Sequence, residues 1–586
     1  MHIKTGGKAV IILGLVAIVG FTANKLMNAG YFNNKTTIAA SVPPSIDLGV
    51  GGVSTTHLGS SSTNMAPASN GGHMKLLEMA WNAQMGLNGA NGGAHTQPGS
   101  LMAKHGIDLT IERQDDYAQM ATQQIAFAKN PNEGANFVII MGDGYPAYVA
   151  GLQETLSKMG QQVEIIGSVG YSRGEDKCML PPAVKDNPQL ARGMTVAAVL
   201  RDGDWNICVK WASDNGIAIN PDEKTYDPSA LNFIASDDYV KAGNAYITGY
   251  TEQRPEVKDG KKTGNTHTVT TDGVATWTPV DVTIAQKKGG IIAVASTQDD
   301  RFGQKQYMWQ MPSVIIGNKQ WDATHRDIVE NFLAAAFEGG ELARSNDAFL
   351  TIAADASAEI YHEESGAYWK KYFKGVTERD ASGLTVTLGG STTSGLGDNA
   401  FLFGLKGNDN LYKRVYTIYG GIASHYYPDI LPKLVDFNTV VNTAYIGDLL
   451  AKSTSVAAAD KPVYNESAPV GATFTKKAVH IEFKSGSASF TGDALNVLND
   501  VANNLAVSGS SIQINGHTDN VGNPASNLSL SKARAEAVKA WLMANAPSNF
   551  PAARLRTRGF GDAQPVVSNA SAGGKAQNRR VEILMN

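Results

Sequence analysis

Hydrophobic and polar positions divide the chain into an apolar N-terminus, two unpatterned polar stretches and two patterned blocks. Residues 9–28 are almost entirely apolar, and the run AVIILGLVAIVGFTA within them carries no charge. Residues 29–73 and 451–473 are rich in Ser, Thr, Asn, Gly and Ala and lack a sustained period, which predicts flexible linkers. Residues 74–450 and 474–586 alternate strand-like and helix-like segments, which predicts folded domains.

The apolar stretch 9–28 has the length of a short membrane span or of a long signal-peptide core. Lys4 and Lys8 precede it, which places residues 1–8 in the cytoplasm and the bulk of the chain in the periplasm. An uncleaved anchor and a cleaved signal both stay open. The anchor is preferred because Phe21 and Ala23 make a poor cleavage site. The expected location is the inner membrane of a Gram-negative envelope, crossed by one transmembrane helix.

In the C-terminal block, apolar positions change period in a regular order. Val479, Ile481 and Phe483 alternate with polar residues and predict a strand, and 495–505 follow at helical spacing. A second strand runs into NGHTDN, a helix begins at about Asn527, and two further strands follow around Leu555 and residues 581–583. The order βαβαβ…β predicts an α/β sandwich with helices over one face of the sheet.

Four motifs in this block, NGHTDN (515–520), NLSLSKARAEAVKAWL (527–542), RGFGDAQP (558–565) and NRRVEI (578–583), resemble the OmpA-like peptidoglycan-binding domain. The resemblance implies a peptidoglycan partner, the diaminopimelate of the stem peptide, whose free end carries an ammonium beside a carboxylate. It implies Asp519 as the ammonium partner and Arg534 as the carboxylate partner, a role that suits an Arg fork. Thr518, Asn527 and Arg579 are the further candidates. Without the motifs, Asp519 and Arg534 would read as a solvated pair.

The block 74–450 contains continuous apolar strands between helices, among them NFVIIMGDG (136–144), VEIIGSVG (163–170), GGIIAVAST (289–297) and PSVIIG (312–317). Such strands predict a parallel-type sheet covered on both faces. The block exceeds one usual core, so two lobes are expected.

Several phrases of this block resemble the phosphate-type (type 2) periplasmic solute-binding proteins that occur fused to OmpA-like domains. They include NGANGGAHTQPGSLMAKHGIDLTI (88–111), VGYSRGEDKCM (169–179), LRDGDWNICVKWASDNGI (200–217) and DGVATWTPVDV (272–282). The resemblance implies an α/β fold with a second lobe at about 166–296 and a small polar or anionic solute in the cleft between the lobes.

Strand ends and helix starts give the candidate cleft residues. Arg173 suits an anion and Asp143 an amine. In the alternative interpretation Trp277 packs, Arg173 pairs with a neighbouring carboxylate, and the glycines only turn the chain. The full set of candidates is Asp143, Gly144, Tyr145, Ser172, Arg173, Glu175, Asp176, Thr276, Trp277 and Thr278.

The net charge, the cysteine count and a search for catalytic motifs exclude several classes of function. The formal net charge of −4, from 50 basic and 54 acidic residues, argues against a nucleic-acid partner. Cys178 and Cys208 form a disulfide in an oxidising periplasm or remain two buried thiols. The GYSRG run (170–174) fits G-x-S-x-G, but the following prolines stop the helix that a nucleophile elbow needs. We expect no enzyme activity, no cofactor and no metal site.

Two functions remain. The preferred one is an envelope protein that is anchored in the membrane, binds peptidoglycan and carries a solute-binding module. It would act as a tethered receptor or sensor, with membrane-protein partners that the sequence does not identify. The alternative is a structural component whose solute-binding fold has lost its ligand and acts as a spacer or docking surface.

Overall fold

The structure is a computed structural model. It describes residues 61–63, 65–68, 72–299, 306–307, 311–461, 464, 475–479, 481, 483–484, 486–492, 494–506 and 511–585. The predicted anchor at 9–28 lies outside the described residues. Among the residues that are described, none of the helices combines the length and the hydropathy needed to cross a membrane.

The first lobe contains a mixed sheet of six described strands. Pro312–Asn318 runs antiparallel to both of its neighbours, whereas Met74–Glu78 runs parallel to both of its own. Both Phe137–Met141 and Pro312–Asn318 are buried along their whole length, as expected of strands covered on both faces. Across the sheet the order is Leu109–Arg113, Met74–Glu78, Phe137–Met141, Pro312–Asn318, Val163–Ser172, Ser391–Thr393.

Helices cover this sheet on both faces. Arg326–Ser345 buries most of its length, including Phe332 and Phe337. Tyr145–Ser157 begins with Pro146 in its first turn, a position where proline suits a helix start. The helices of the first lobe are Met85–Asn91, Leu101–Lys104, Tyr117–Lys129, Tyr145–Ser157, Lys319–Thr324, Arg326–Ser345, Asp347–Tyr361, Gly366–Phe373, Leu396–Leu402, Leu411–Tyr426, Phe437–Val440 and Ala444–Lys452, and a hairpin joins Val376–Arg379 to Thr385–Leu388.

The second lobe repeats this topology. Its described strands lie in the order Ala218–Ile219, Ala230–Ala235, Thr195–Ala198, Gly273–Thr276, Lys177–Leu180, Ile292–Ser296. Its elements outside the sheet are helices Pro182–Asp186, Gly203–Asp214, Tyr239–Thr248 and Val280–Lys287 and the hairpin strands Thr251–Lys258 and Lys261–Thr270. A disulfide between Cys178 and Cys208, with Cα atoms 5.1 Å apart, joins strand Lys177–Leu180 to helix Gly203–Asp214.

The expectation of a parallel-type sheet was wrong in one respect. In each lobe the strand that has just crossed from the other lobe, Lys177–Leu180 or Pro312–Asn318, runs antiparallel to both of its neighbours. In the first lobe Val163–Ser172 does so as well, because it pairs antiparallel with Pro312–Asn318 and with Ser391–Thr393. A strand buried on both faces has the same apolar pattern in either direction, so the sequence does not reveal this. Because Val163–Ser172 stays in the first sheet, the second lobe begins later than residue 166.

The C-terminal domain has a sheet of four described strands, in the order Thr475–Val479, Val581–Met585, Ile512–Gly516, Leu555–Gly559. Its helices are Ala494–Ala506, Pro524–Asn545 and Ala572–Asn578. Leu498, Ala535 and Leu542 are buried, as their helical spacing predicts.

Parts of both predicted linkers pack on the first lobe. Ser62–Thr63 pairs with Ser453–Ser455 as a short antiparallel ladder. The backbone amide and hydroxyl of Ser61 both donate to the Glu341 carboxylate, at 2.7 and 2.6 Å. Composition predicted a flexible tether here because Ser and Thr carry no hydrophobic period, yet their backbone groups and hydroxyls find partners on the lobe.

Candidate functional site

The strongest candidate site lies where strand Ile512–Gly516 ends and helix Pro524–Asn545 begins. The turn between them carries Thr518 and Asp519, both buried. Asn523 caps the helix by accepting a hydrogen bond from the Ala525 amide at 2.8 Å. The cap and Pro524 in the first turn fix the helix start, so the helix returns past the strand end.

Asp519 is held from two sides. Its Oδ2 accepts a hydrogen bond from Arg579 Nη1 at 2.6 Å, and its Oδ1 accepts one from the Val521 amide at 3.1 Å. The Asn527 side chain donates to the Asp519 carbonyl at 3.3 Å. The carboxylate is therefore fixed in position before any ligand arrives.

Arg534 lies in the third turn of the helix and is 5% exposed. Its Nε donates to the Ser487 carbonyl at 3.2 Å, and its guanidinium lies 5.0 Å from the centre of the Phe483 ring. Burial and the neighbouring charge of Arg579 lower its pKa, while Asp519 acts in the opposite direction.

The structure brings all five predicted residues, Thr518, Asp519, Asn527, Arg534 and Arg579, to one end of the C-terminal sheet. The buried Thr518 hydroxyl has no hydrogen-bond partner among the described residues. One carboxylate beside two guanidinium groups can bind an ammonium and a carboxylate at a fixed separation, which is what a zwitterion requires. Sequence reasoning missed Phe483 and Ser487, because their segment FKSGSASF (483–490) gave no sign that it would contact Arg534.

A second candidate is a cavity of about 550 Å³ between the two lobes of the middle block. Gly144 from the first lobe and Trp277 from the second line it, as predicted for cleft residues. Trp277 reaches across the cleft: its Nε1 donates to the Ala80 carbonyl at 3.0 Å, and its ring lies 4.2 Å from the Tyr239 ring.

The other predicted cleft residues do not line this cavity. Tyr145 points into the first lobe, where its hydroxyl donates to the Val440 carbonyl at 2.9 Å. The Thr278 hydroxyl donates to Asp281 at 2.8 Å. Thr276 is fully buried, and its hydroxyl has no partner among the described residues.

Four predicted residues lie at the crossover between the lobes. The Ser172 and Thr297 hydroxyls are 2.6 Å apart, and this hydrogen bond joins the two segments that cross between the lobes. Glu175 accepts from the Asn82 side chain at 3.1 Å, and Asp176 accepts from Trp81 Nε1 at 3.2 Å. The Arg173 guanidinium lies 4.9 Å from the Tyr171 ring centre. These contacts bind the crossover to the first lobe.

Asp143 is buried behind Gly144 and faces the second lobe. Asn206 of helix Gly203–Asp214 donates to its carbonyl at 3.4 Å and to its carboxylate at 3.5 Å. Burial, then the charges of Asp202 and Asp176, raise the pKa of Asp143 well above its usual range. Sequence reasoning did not single out Asp202 or Asn206, although the run D-G-D-W-N before an apolar helix carries an N-cap signal.

Comparison with known proteins agrees with the C-terminal assignment. Residues 482–579 match the sequence model of the OmpA family. The chain is 38% identical over 108 residues to "Probable lipoprotein YiaD" of Escherichia coli K12, a match that covers 18% of this chain and 48% of that protein. It is 38% identical over 107 residues to "Peptidoglycan-binding protein ArfA" of Mycobacterium tuberculosis H37Rv, covering 18% and 32%. The chain thus spans half or less of the length of these two relatives.

Among solved structures, the periplasmic nitrate-binding protein NrtA from Synechocystis PCC 6803 is similar over 66% of this chain and 89% of that one, with 11% identity and a TM-score of 0.45. The family match, the order of strands and helices and the gathered polar residues all concern the same region. The C-terminal part of this chain is an OmpA-family domain.

Proposed function

We propose that this protein is a component of the bacterial cell envelope that binds peptidoglycan non-covalently through its C-terminal domain. The observation that carries the proposal is the pocket of Asp519, Arg534 and Arg579 inside an OmpA-family domain. Asp519 accepts the ammonium of diaminopimelate and Arg534 its carboxylate. The curated relative from Mycobacterium tuberculosis is named as a peptidoglycan-binding protein, which supports the same chemistry here.

Sedimentation of the full chain with purified sacculi tests this half of the proposal. The unaltered chain should pellet with the sacculi, whereas Asp519→Asn and Arg534→Gln should stay in the supernatant. Arg379→Gln is the matched control, because Arg379 is exposed and lies on the hairpin strand Val376–Arg379 of the middle block, outside the C-terminal domain. If either pocket variant pellets like the unaltered chain, the wall-binding role is wrong.

The middle block acts in this proposal as a tethered receptor. Two α/β lobes of one topology close over a cavity. Two hydrogen bonds join the lobes there, from Trp277 to the Ala80 carbonyl and from Arg113 to the Tyr239 hydroxyl. A receptor fixed to the wall cannot shuttle to a distant permease, so local capture or signalling to a membrane partner is the role that fits. A ligand at 100 times its dissociation constant would stabilise the chain by about 2.7 kcal/mol, which thermal unfolding detects. A block that binds no solute would instead be a spacer.

The apolar stretch 9–28 completes the proposal as an inner-membrane anchor. Its support is the sequence alone: an uncharged run with two lysines before it. The full chain should fractionate with inner membranes and resist extraction by high salt. A chain beginning at residue 29 behind a cleavable signal should be released into the periplasmic fraction of cells whose wall has been digested. Equal release of both chains would contradict the anchor.

A further inference from the structure

The cavity between the lobes has a strongly one-sided charge. Among its described lining residues there are six acidic side chains and one basic one, Arg201, whose guanidinium lies 4.7 Å over the Tyr427 ring. The acidic residues come from both lobes: Asp115, Asp116, Asp202, Glu223, Asp237 and Asp238. Three of the six are ion-paired: Asp115 with Arg113 at 2.7 Å, and Asp237 and Asp238 with Lys241 at 2.8 and 3.3 Å. The other three have no salt bridge among the described residues, so an oxyanion in this cleft would still meet more negative than positive charge.

The walls of the same cavity are aromatic. Tyr117 and Tyr148 of the first lobe pack edge to face, with ring centres 6.0 Å apart. Tyr239 and Trp277 of the second lobe form the second aromatic pair. Aromatic faces attract cations through their quadrupole, most strongly where water is excluded. The aromatic walls and the acidic side chains of the cavity therefore both favour a cationic ligand.

Behind the cavity, carboxylates from both lobes meet in the interior. Asp143 belongs to the first lobe, Asp202 and Asp204 begin helix Gly203–Asp214 of the second, and Asp176 lies at the crossover. All four are at least nine-tenths buried. Each lies close enough to another of the four for their negative charges to repel each other. This arrangement costs free energy unless protons or a cation neutralise it.

Two unpartnered groups in this interior point to a ligand independently of the charge. Asp143 Oδ1 has no hydrogen-bond partner among the described residues, and neither has the hydroxyl of Thr276, the residue before Trp277. Buried polar groups in native proteins are almost always paired, so an open acceptor and an open hydroxyl call for an explanation. Neither residue lines the cavity, but each directly precedes one that does, Gly144 and Trp277, which places both open groups next to the wall of the cleft. No set of three or more His, Cys, Asp or Glu within the described chain is arranged to hold a metal ion.

We propose that the cleft binds an organic cation, an amine or quaternary ammonium solute, whose charge is neutralised by carboxylates of both lobes. This inference rests on the proposed receptor role and specifies the class of solute that the receptor binds. The solute is a cation, whereas the sequence suggested an anion bound by Arg173. Carboxylates on facing lobes repel each other until a cation lies between them. The solute would therefore favour the closed arrangement by binding it more tightly than the open one.

Thermal unfolding of the full chain tests the ligand class. The probes are putrescine, choline and L-lysine on one side, and inorganic phosphate, nitrate and sulfate on the other. We expect at least one amine to raise the melting temperature and none of the anions to do so. A rise with an anion alone would overturn the cation while leaving the receptor role intact. No rise with any probe would overturn both, and sacculus binding would be unaffected in either case.

Two variants then locate the site by calorimetry with the amine that shifts unfolding. Asp116→Asn in the first lobe and Asp202→Asn in the second each remove one carboxylate that lines the cavity and keep a side chain that caps its helix, and each should weaken binding by about tenfold or more. Asp186→Asn, on an exposed position of the second lobe, is the matched control and should bind like the unaltered chain. The pocket variants should melt no lower than the unaltered chain without ligand, which separates lost binding from lost folding. Unchanged affinity in both pocket variants would overturn the site.

Discussion

At the residue scale, the two arginines of the C-terminal pocket, Arg534 and Arg579, differ in burial, so their substitutions should differ in effect. Arg534 is 5% exposed, whereas the side chain of Arg579 is 44% exposed. Losing a buried charged contact costs about 2–5 kcal/mol, against about 0–1 kcal/mol for an exposed pair. Arg534→Gln should therefore weaken binding of a soluble diaminopimelate peptide by about 30-fold or more, and Arg579→Gln by about fivefold or less. Calorimetry measures both, and equal losses would contradict the assignment of Arg534 as the main carboxylate partner.

The five residues of this pocket could be named from the sequence because four ordered motifs fixed their positions on one fold. The cleft residues could not, for a physical reason. The rule that sites lie at strand ends says which end of a sheet a residue occupies, but not whether its side chain faces the cleft or the core. It therefore selected Gly144 and Trp277, which line the cavity, together with Tyr145, whose side chain points into the core. The acidic character of the cleft depends on side chains that meet only when two lobes approach, and no local pattern encodes that approach.

At the scale of elements, the C-terminal domain depends on a close approach between helix and sheet. A Cβ at Gly516, the last residue of its strand, would lie 1.9 Å from the Ser531 carbonyl of helix Pro524–Asn545. Gly516→Ala should push that helix off the strand end, destabilise the domain by about 1–3 kcal/mol and weaken sacculus binding, because Asp519 and Arg534 lie on the two displaced elements. Thermal unfolding and sedimentation measure the two effects.

Gly573→Ala provides the matched control. A Cβ at Gly573 has nothing within 4 Å, and the residue lies in helix Ala572–Asn578, where alanine is favoured over glycine by about 0.5–1 kcal/mol. That variant should bind sacculi normally and melt no lower than the unaltered chain. If Gly516→Ala behaved in the same way, the close approach would not be what positions the pocket.

Strand and helix segments were readable from periodicity, and strand direction was not. The segments around 137–141, 163–172 and 312–318 were all predicted as buried strands, and all are. Whether these strands run parallel or antiparallel depends on where the chain crosses between the lobes. The apolar pattern of a buried strand does not indicate this. The packed parts of the linkers were missed for a related reason, since a serine-rich strand pairs through its backbone and not through a hydrophobic face.

At the scale of the whole molecule, the C-terminal domain contacts the first lobe of the middle block directly. Arg414, on helix Leu411–Tyr426 of the first lobe, donates to Asn503 of the C-terminal domain at 2.7 Å. Ser548 donates to Asp409 and Asn408 from a second point of that domain, each at 3.2 Å. Two separate contacts restrict rotation between the domains. A protein bound to peptidoglycan would thus hold the cleft at a set orientation to the wall.

The buried carboxylates also set how stability of the whole chain depends on pH. Burial raises the pKa of Asp176 and of Asp202 to about 7, and raises those of Asp143 and Asp204 well above their usual range. Between about pH 4 and pH 7 the folded chain therefore binds more protons than the unfolded chain, so the free energy of unfolding falls as pH rises through this range. Asp347, whose pKa is lowered to about 2 by Lys370 and Lys374, loses its contribution only in stronger acid.

Scanning calorimetry of the ligand-free chain should accordingly show a higher melting temperature at about pH 5.5 than at about pH 8. The double variant Asp143→Asn, Asp204→Asn should lose much of that difference, because an amide does not titrate and needs no proton to remain buried. The exposed control Asp186→Asn should keep the full difference. A melting temperature that rises with pH across this range would show that these carboxylates are ionised and compensated in the folded chain. In that case the charge that a bound cation is proposed to neutralise would already be balanced.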